Sequence, residues 1–237
     1  MAEMATEATK GTRRRVGRAA PPRRGGTTDD APRSPGRPVG GSGDRTRERI
    51  VRAALETFAE HGFGGCSMRD VARKARIRVS SLYHYFPSKE ALFQEILGTM
   101  AEELRELVLS VMSKGLDLRE LTRESTGKFF DFFLANPAYV RLGLHSRVNR
   151  GAPFDRRILD RWLGLMDGLM KPAQMQGTLK EIDPVCLMVT VDGLVHWHLA
   201  NDGFYRSVLG RGLDDPEVVR RAREHVIQVV LRTMGLE

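Results

Sequence analysis

A chain of 237 residues with 41% hydrophobic content can bury one ordinary core and a small second domain. A net charge of +8 and a pI near 9.9 point to a polyanionic partner, most often nucleic acid, although a basic tail alone produces the same total. Cys66 and Cys186 stand far apart with no CxxC or Cys/His spacing, which argues against a disulfide framework or a zinc site. No run approaches the ~18 apolar residues of a membrane span, so we expect a soluble, cytoplasmic chain with no membrane partner.

Residues 1–43 are rich in proline and glycine and carry no large apolar residue after Met4 except Val16 and Val39. Such a segment buries too little surface to offset its ordering entropy, so a disordered arm is expected. It holds nine basic residues against four acids. One reading is a solubilising tail. The other is an electrostatic arm that tracks phosphates or enters a minor groove, and Pro35-Gly36-Arg37-Pro38 resembles an AT-hook core.

From Asp44 the pattern changes. Ile50, Ala53, Ala54 and Phe58 share one helical face, and the segment stops at His61-Gly62, where glycine suits the left-handed position beyond a helix. Ser67-x-x-Asp70 has capping-box form, so a second helix starts at Ser67 and ends near Ala75. A third runs from about Val79 to His84 and is broken by Pro87-Ser88. Ser88 caps a fourth, whose stripe of Leu92, Phe93, Ile96, Leu97, Met100, Leu104, Leu107 and Val111 keeps the 3.6 period. Between Arg69 and Arg78 stand five basic residues (Arg69, Arg73, Lys74, Arg76, Arg78) against Asp70 alone, while Met68, Val71, Ala72, Ala75, Ile77, Leu82 and Phe86 supply a buried side. That is the balance of a DNA-reading helix pair.

The order of a helix ending in His61-Gly62-Phe63, a capped Ser67-Met68-Arg69-Asp70-Val71-Ala72, then Ser81-Leu82-Tyr83-His84-Tyr85-Phe86-Pro87-Ser88-Lys89 strongly resembles the TetR family of transcriptional regulators, over about residues 45–93. The resemblance implies an N-terminal three-helix helix-turn-helix domain and a larger helical domain that dimerises and holds a small ligand. It also implies that Ser67 and Lys89 contact phosphates and that Tyr83 and His84 brace the DNA backbone. Arg78, Val79, Ser80 and Ser81 would face base edges. The chain departs from the family in having Arg76 where glycine is usual in the turn, and Arg78 where Ser or Thr usually caps the third helix. A non-glycine residue in a left-handed turn costs about 1 kcal/mol. From packing alone we expect Tyr83 outside and Phe86 in the core.

The remaining residues read as helices throughout, giving an all-α chain with a basic arm at 1–43, a helix-turn-helix domain at 44–92 and a helical ligand-binding and dimerisation domain at 93–237. A helix carrying Phe129, Phe130, Phe132 and Phe133 ends at Asn136-Pro137. The next runs to about Val148, a loop falls at Gly151-Ala152-Pro153, and Phe154, Ile158, Trp162, Met166 and Leu169 mark a long helix to about Gln176. A helix from Pro184 to about Arg206 is apolar nearly all round, and the final one, from Asp215 to Met234, has a broad apolar face. We expect both to pair with their copies in a homodimer.

His196 and His198 point about 200° apart on a helix and cannot share one ion. Asp192 and His196, at i and i+4, can meet, but the pair falls short of a metal site's ligand count, so no metal and no cofactor are expected. No GxSxG, HExxH, P-loop or GxGxxG stands in the chain, and no enzymatic activity is expected. Phe129, Phe133, Tyr139, His145, Trp162, Met166, Met170 and His196 read as core or as the wall of an apolar ligand cavity. The reading is a ligand-responsive dimeric DNA-binding regulator, a repressor released from a pseudo-palindromic double-stranded operator by a small apolar molecule. The alternative is a sequence-tolerant architectural DNA-binding protein that uses the basic arm.

Overall fold

The computed structural model describes residues 41–148 and 156–237. The proposed arm lies outside them except for its last three residues, and so does the loop at Gly151 to Pro153. Among the described residues there are ten α-helices and no strand. The first, α1 (Gly41–His61), starts three residues before Asp44, and Gly62 takes the left-handed φ of 71° beyond its end. Then come α2 (Met68–Lys74), α3 (Val79–Tyr85) and α4 (Lys89–Met112).

Local chemistry sets these bounds. The Asp70 backbone N–H donates to Ser67 Oγ at 3.4 Å, while Ser67 N donates to Asp70 Oδ2 at 2.9 Å, closing the reciprocal capping box. At the other end of α2, Ile77 N donates to Ala72 O (3.0 Å) and Arg76 N to Arg73 O (3.1 Å), the paired bonds of a Schellman turn. Arg76 sits at its left-handed position with φ 53°, the one non-glycine residue with positive φ among those described. Arg78 precedes α3 in extended conformation and gives it no side-chain cap. Ser88 then caps α4, accepting from Ala91 N at 3.0 Å.

The second half comprises α5 (Leu118–Ala135), α6 (Pro137–Val148), α7 (Arg156–Met175), α8 (Pro184–Ala200), α9 (Asp202–Leu209) and α10 (Pro216–Met234). Asp117, Asp183 and Asp215 cap α5, α8 and α10, with Pro184 and Pro216 in the first turns. The single helix expected from Pro184 to Arg206 is two. Asn201 Nδ2 donates to Trp197 O at 2.6 Å and takes the carbonyl that its own N–H would otherwise use, a local side-chain competition that ends α8. Asp202 accepts from Leu213 N at 2.6 Å and from Arg206 Nε at 2.7 Å, which fixes α9 against the start of α10.

Packing joins the two halves through α4 and through the direct contact of α1 with α6. α1 rests on α2, α4 and α6, while α4 continues onto α5 and α7. The rings of Phe58, Phe63 and Phe93 stand 5.1 to 5.8 Å apart, clamping α1 and its following turn to α4. Arg47 adds a salt bridge to Glu95 and lies over the Phe86 ring, 5.0 Å from its centroid. In the other half α10 buries Val218, Ala222, Val226, Ile227, Val230, Leu231 and Met234, packing on α5 and α8 of its own chain.

Replacing Arg76 with glycine should relieve the left-handed strain and raise stability by about 1 kcal/mol, read from the urea midpoint. An unchanged or lowered midpoint would show that the turn is not strained.

Candidate functional site

The surface of α2, the turn and α3 forms one basic face. Arg69, Arg73, Arg76, Arg78, Ser80, Ser81, Tyr83 and His84 are exposed, Val79 is half-buried, and Leu82 alone anchors α3 in the core. Tyr83 points outward at 50% exposure and Phe86 is buried at 3%. Two of the five basic residues are committed within the chain. Arg73 pairs with Asp70 (3.1 Å), and Lys74 with Glu56 (3.2 Å) and Glu60 (2.8 Å), which bind α2 to α1. Among the described residues Arg69, Arg76 and Arg78 make no ion pair, so their guanidinium groups are available to phosphate or base edges. Hydrogen bonds from the Ser67 hydroxyl and backbone hold the Asp70 carboxyl below the usual carboxylate range.

Ser67 and Lys89 sit at the N-termini of α2 and α4, yet both polar groups have partners inside the chain. The Ser67 hydroxyl donates to Asp70 Oδ2 at 2.6 Å. Lys89 Nζ donates to Phe63 O (2.7 Å) and Cys66 O (3.1 Å) and stands 4.4 Å from the Phe63 ring centroid. Two of its three N–H donors therefore lock the turn between α1 and α2 to the start of α4.

The second feature is a cavity of about 520 Å³ among α4, α5, α6, α7, α8 and α10. Phe129, Phe133, Tyr139, Trp162, Met166, Met170 and His196 line it, and His145 does not. The inward face of α6 is set by Tyr139, Leu142, Gly143 and Ser146, at i, i+3, i+4 and i+7, and His145 falls off that stripe. Sequence reasoning missed the α4 wall of Phe93, Leu97, Met100, Ala101, Leu104 and Val108, together with Ser125 and Thr126 of α5 and Leu187 and Val191 of α8. The available signal was the length of the α4 stripe, which runs far past what the N-terminal helices can cover.

The lining is mostly apolar and, among the described residues, holds no lysine or arginine. Burial pushes the Tyr139 phenol up to about 12, so it is neutral at physiological pH. Asp192 and His196 meet as their spacing predicts: His196 Nδ1 lies 3.0 Å from Asp192 Oδ1 and 2.9 Å from Asp192 O, and its ring stands 4.5 Å from that of Phe133. His198 faces elsewhere. Its Nδ1 is hydrogen-bonded to the Tyr205 hydroxyl and its ring meets His225 of α10; burial, then the His225 charge, lowers its pKa. Among the described residues no three His, Cys, Asp or Glu side chains come together as metal ligands. No helix among them is long and apolar enough to cross a membrane.

Residues 50–96 match the family model described as bacterial regulatory proteins, tetR family, and residues 119–230 match that of a tetracyclin repressor-like C-terminal domain. The chain is 23% identical over 185 residues to the HTH-type transcriptional repressor NicS of Pseudomonas putida, covering 73% of this chain and 85% of that protein. It is 40% identical over 80 residues to the HTH-type transcriptional repressor KstR2 of Rhodococcus jostii, covering 34% and 38%. Among solved structures it resembles a TetR family transcription regulator from Marinobacter aquaeolei (TM-score 0.63, 20% identity, 78% of this chain and 95% of that one). The fatty acid degradation regulator FadR from Bacillus halodurans is also similar in fold (TM-score 0.56, 18% identity, 77% and 94%).

Lys89→Ala leaves two half-buried carbonyls without their donor. It should lower unfolding stability by about 1–2 kcal/mol in chemical denaturation. Unchanged stability would show that the tie to Phe63 and Cys66 does not hold.

Proposed function

From the premise that the chain belongs to the TetR family of DNA-binding transcriptional regulators, we propose that it is a dimeric repressor, released from a pseudo-palindromic operator when a small apolar molecule enters the cavity. The observation that carries this reading is Phe93, which lines the cavity and also packs against Phe58 and Phe63 beneath the basic face. A ligand seated against α4 pushes on the helix that positions α2 and α3. It weakens DNA binding in proportion to its preference for the displaced arrangement. NicS and KstR2 are named repressors, which supports that sign of regulation. The protein acts on cytoplasmic DNA, and we assign it no catalytic role.

In a dimer, two copies of α3 enter successive major grooves about 34–36 Å apart. The exposed apolar residues favour an interface on α8 and α9: Val185, Val189 and Trp197 are 45%, 62% and 69% exposed, and Phe204 and Val208 64% and 61%. On α8 these three share one row with Gly193, at steps of four. The broad face of α10, expected to lie in the same interface, is mostly covered by its own chain. What α10 offers a partner is the edge bearing His225 and Val229.

Binding-site selection from random DNA should return a palindrome with half-sites about one helical turn apart. Sequences with no shared motif would favour the sequence-tolerant alternative. Arg69→Ala should weaken all sites alike and flatten the salt slope by roughly one unit, whereas Arg78→Ala or Ser81→Ala should change base preference. In sedimentation, Val189→Glu should convert dimers to monomers; a variant that stays dimeric would move the interface off α8.

A further inference from the structure

On the reading of the cavity as a ligand site, we propose that its ligand is neutral and bears a hydroxyl, of an alcohol or phenol, which donates a hydrogen bond to His196 Nε2. The His196 side chain is 4% exposed. Nδ1 lies within 2.9 Å of the Asp192 carbonyl oxygen, which can only accept, so Nδ1 carries the proton. In that tautomer Nε2 presents a lone pair. Among the described residues nothing donates to it. Its neighbour on α6 is Gly143, where a Cβ would stand 2.9 Å from Nε2, so glycine lets the ring pack against α6. An acceptor without a protein donor, on a residue of the cavity wall, can take a donor from the ligand.

The rest of the wall decides the charge. Among the described lining residues there is no lysine or arginine, so a carboxylate-ended ligand would lose its hydration without gaining a fixed cation from them. A neutral hydroxyl carries no such penalty. Ser125 Oγ, buried without a hydrogen-bond partner, gives the wall a second polar point. Leu97, Met100, Leu104, Met166 and Met170 accept the apolar body. About 520 Å³ is ample for one ring with an alkyl chain.

The test uses the full chain and three probes of matched shape: 4-octylphenol, its methyl ether 4-octylanisole, and 4-octylbenzoate. Binding is followed by quenching of Trp162, which lines the cavity. The phenol should bind about tenfold more tightly than the ether and more tightly than the benzoate. His196→Phe should remove the preference for the phenol and leave ether binding within about twofold, and Gly143→Ala, which crowds Nε2, should weaken the phenol selectively. Should either variant fail to fold by circular dichroism, the phenol-to-ether ratio of the unmodified protein still decides. Equal binding of phenol and ether, or tightest binding of the benzoate, would overturn the inference while leaving the cavity as a ligand site. If none of the three binds, the ligand-site reading falls, and this inference with it.

Discussion

Phe93 belongs to two packings at once. Its ring meets those of Phe58 and Phe63, which hold α1 and its turn; the same side chain forms part of the cavity wall. On its packed side, toward Phe58 and Phe63, a displacement of Phe93 has no void to absorb it. With Phe93 fully buried, α4 cannot shift at one end without moving the other packing. The start of α4 is tied further to the N-terminal helices by Arg47 to Glu95 and Phe86 and by Lys89 to Phe63 and Cys66.

That frame explains the division of labour among the charges. Residues whose position must be constant are paired: Asp70 with Ser67 and Arg73, Lys74 with two glutamates of α1. Arg69, Arg76 and Arg78 remain outward on a rigid corner. The unusual placement of Arg76 in a left-handed turn adds positive charge where glycine would add none, at a strain of about 1 kcal/mol. The Schellman bonds that surround it keep the turn closed in spite of that strain.

Much of the fold was legible because its signals are local. The Ser67–Asp70 box, Gly62, Ser88, Pro137, Pro184 and Pro216 each act within one turn of chain, and the structure places helix ends at or beside all of them. The break at Asn201 was not legible: an asparagine flanked by alanine and aspartate continues a helix about as readily as it ends one, and the ties of Asp202 to Leu213 and Arg206 tip the balance. Of the cavity, seven of the eight expected residues were found by their aromatic and thioether character. His145 was not separable from them by residue type, since only the rotational setting of α6 against its neighbours excludes it.

The sequence by itself determined the helices, their caps and the basic corner, because hydrogen bonds within a turn and apolar periodicity depend on neighbours in the chain. Tertiary structure alone decided which apolar faces are buried and which are left over. Both α8 and α10 read in sequence as having apolar surface for a partner copy, yet α10 is covered by α5 and α8 of its own chain while Val189 and Trp197 stay exposed. It also turned Lys89 from a free cation into a tie, and placed the buried His196 on the cavity wall. Those outcomes depend on residues distant in the chain, and no local pattern carries them.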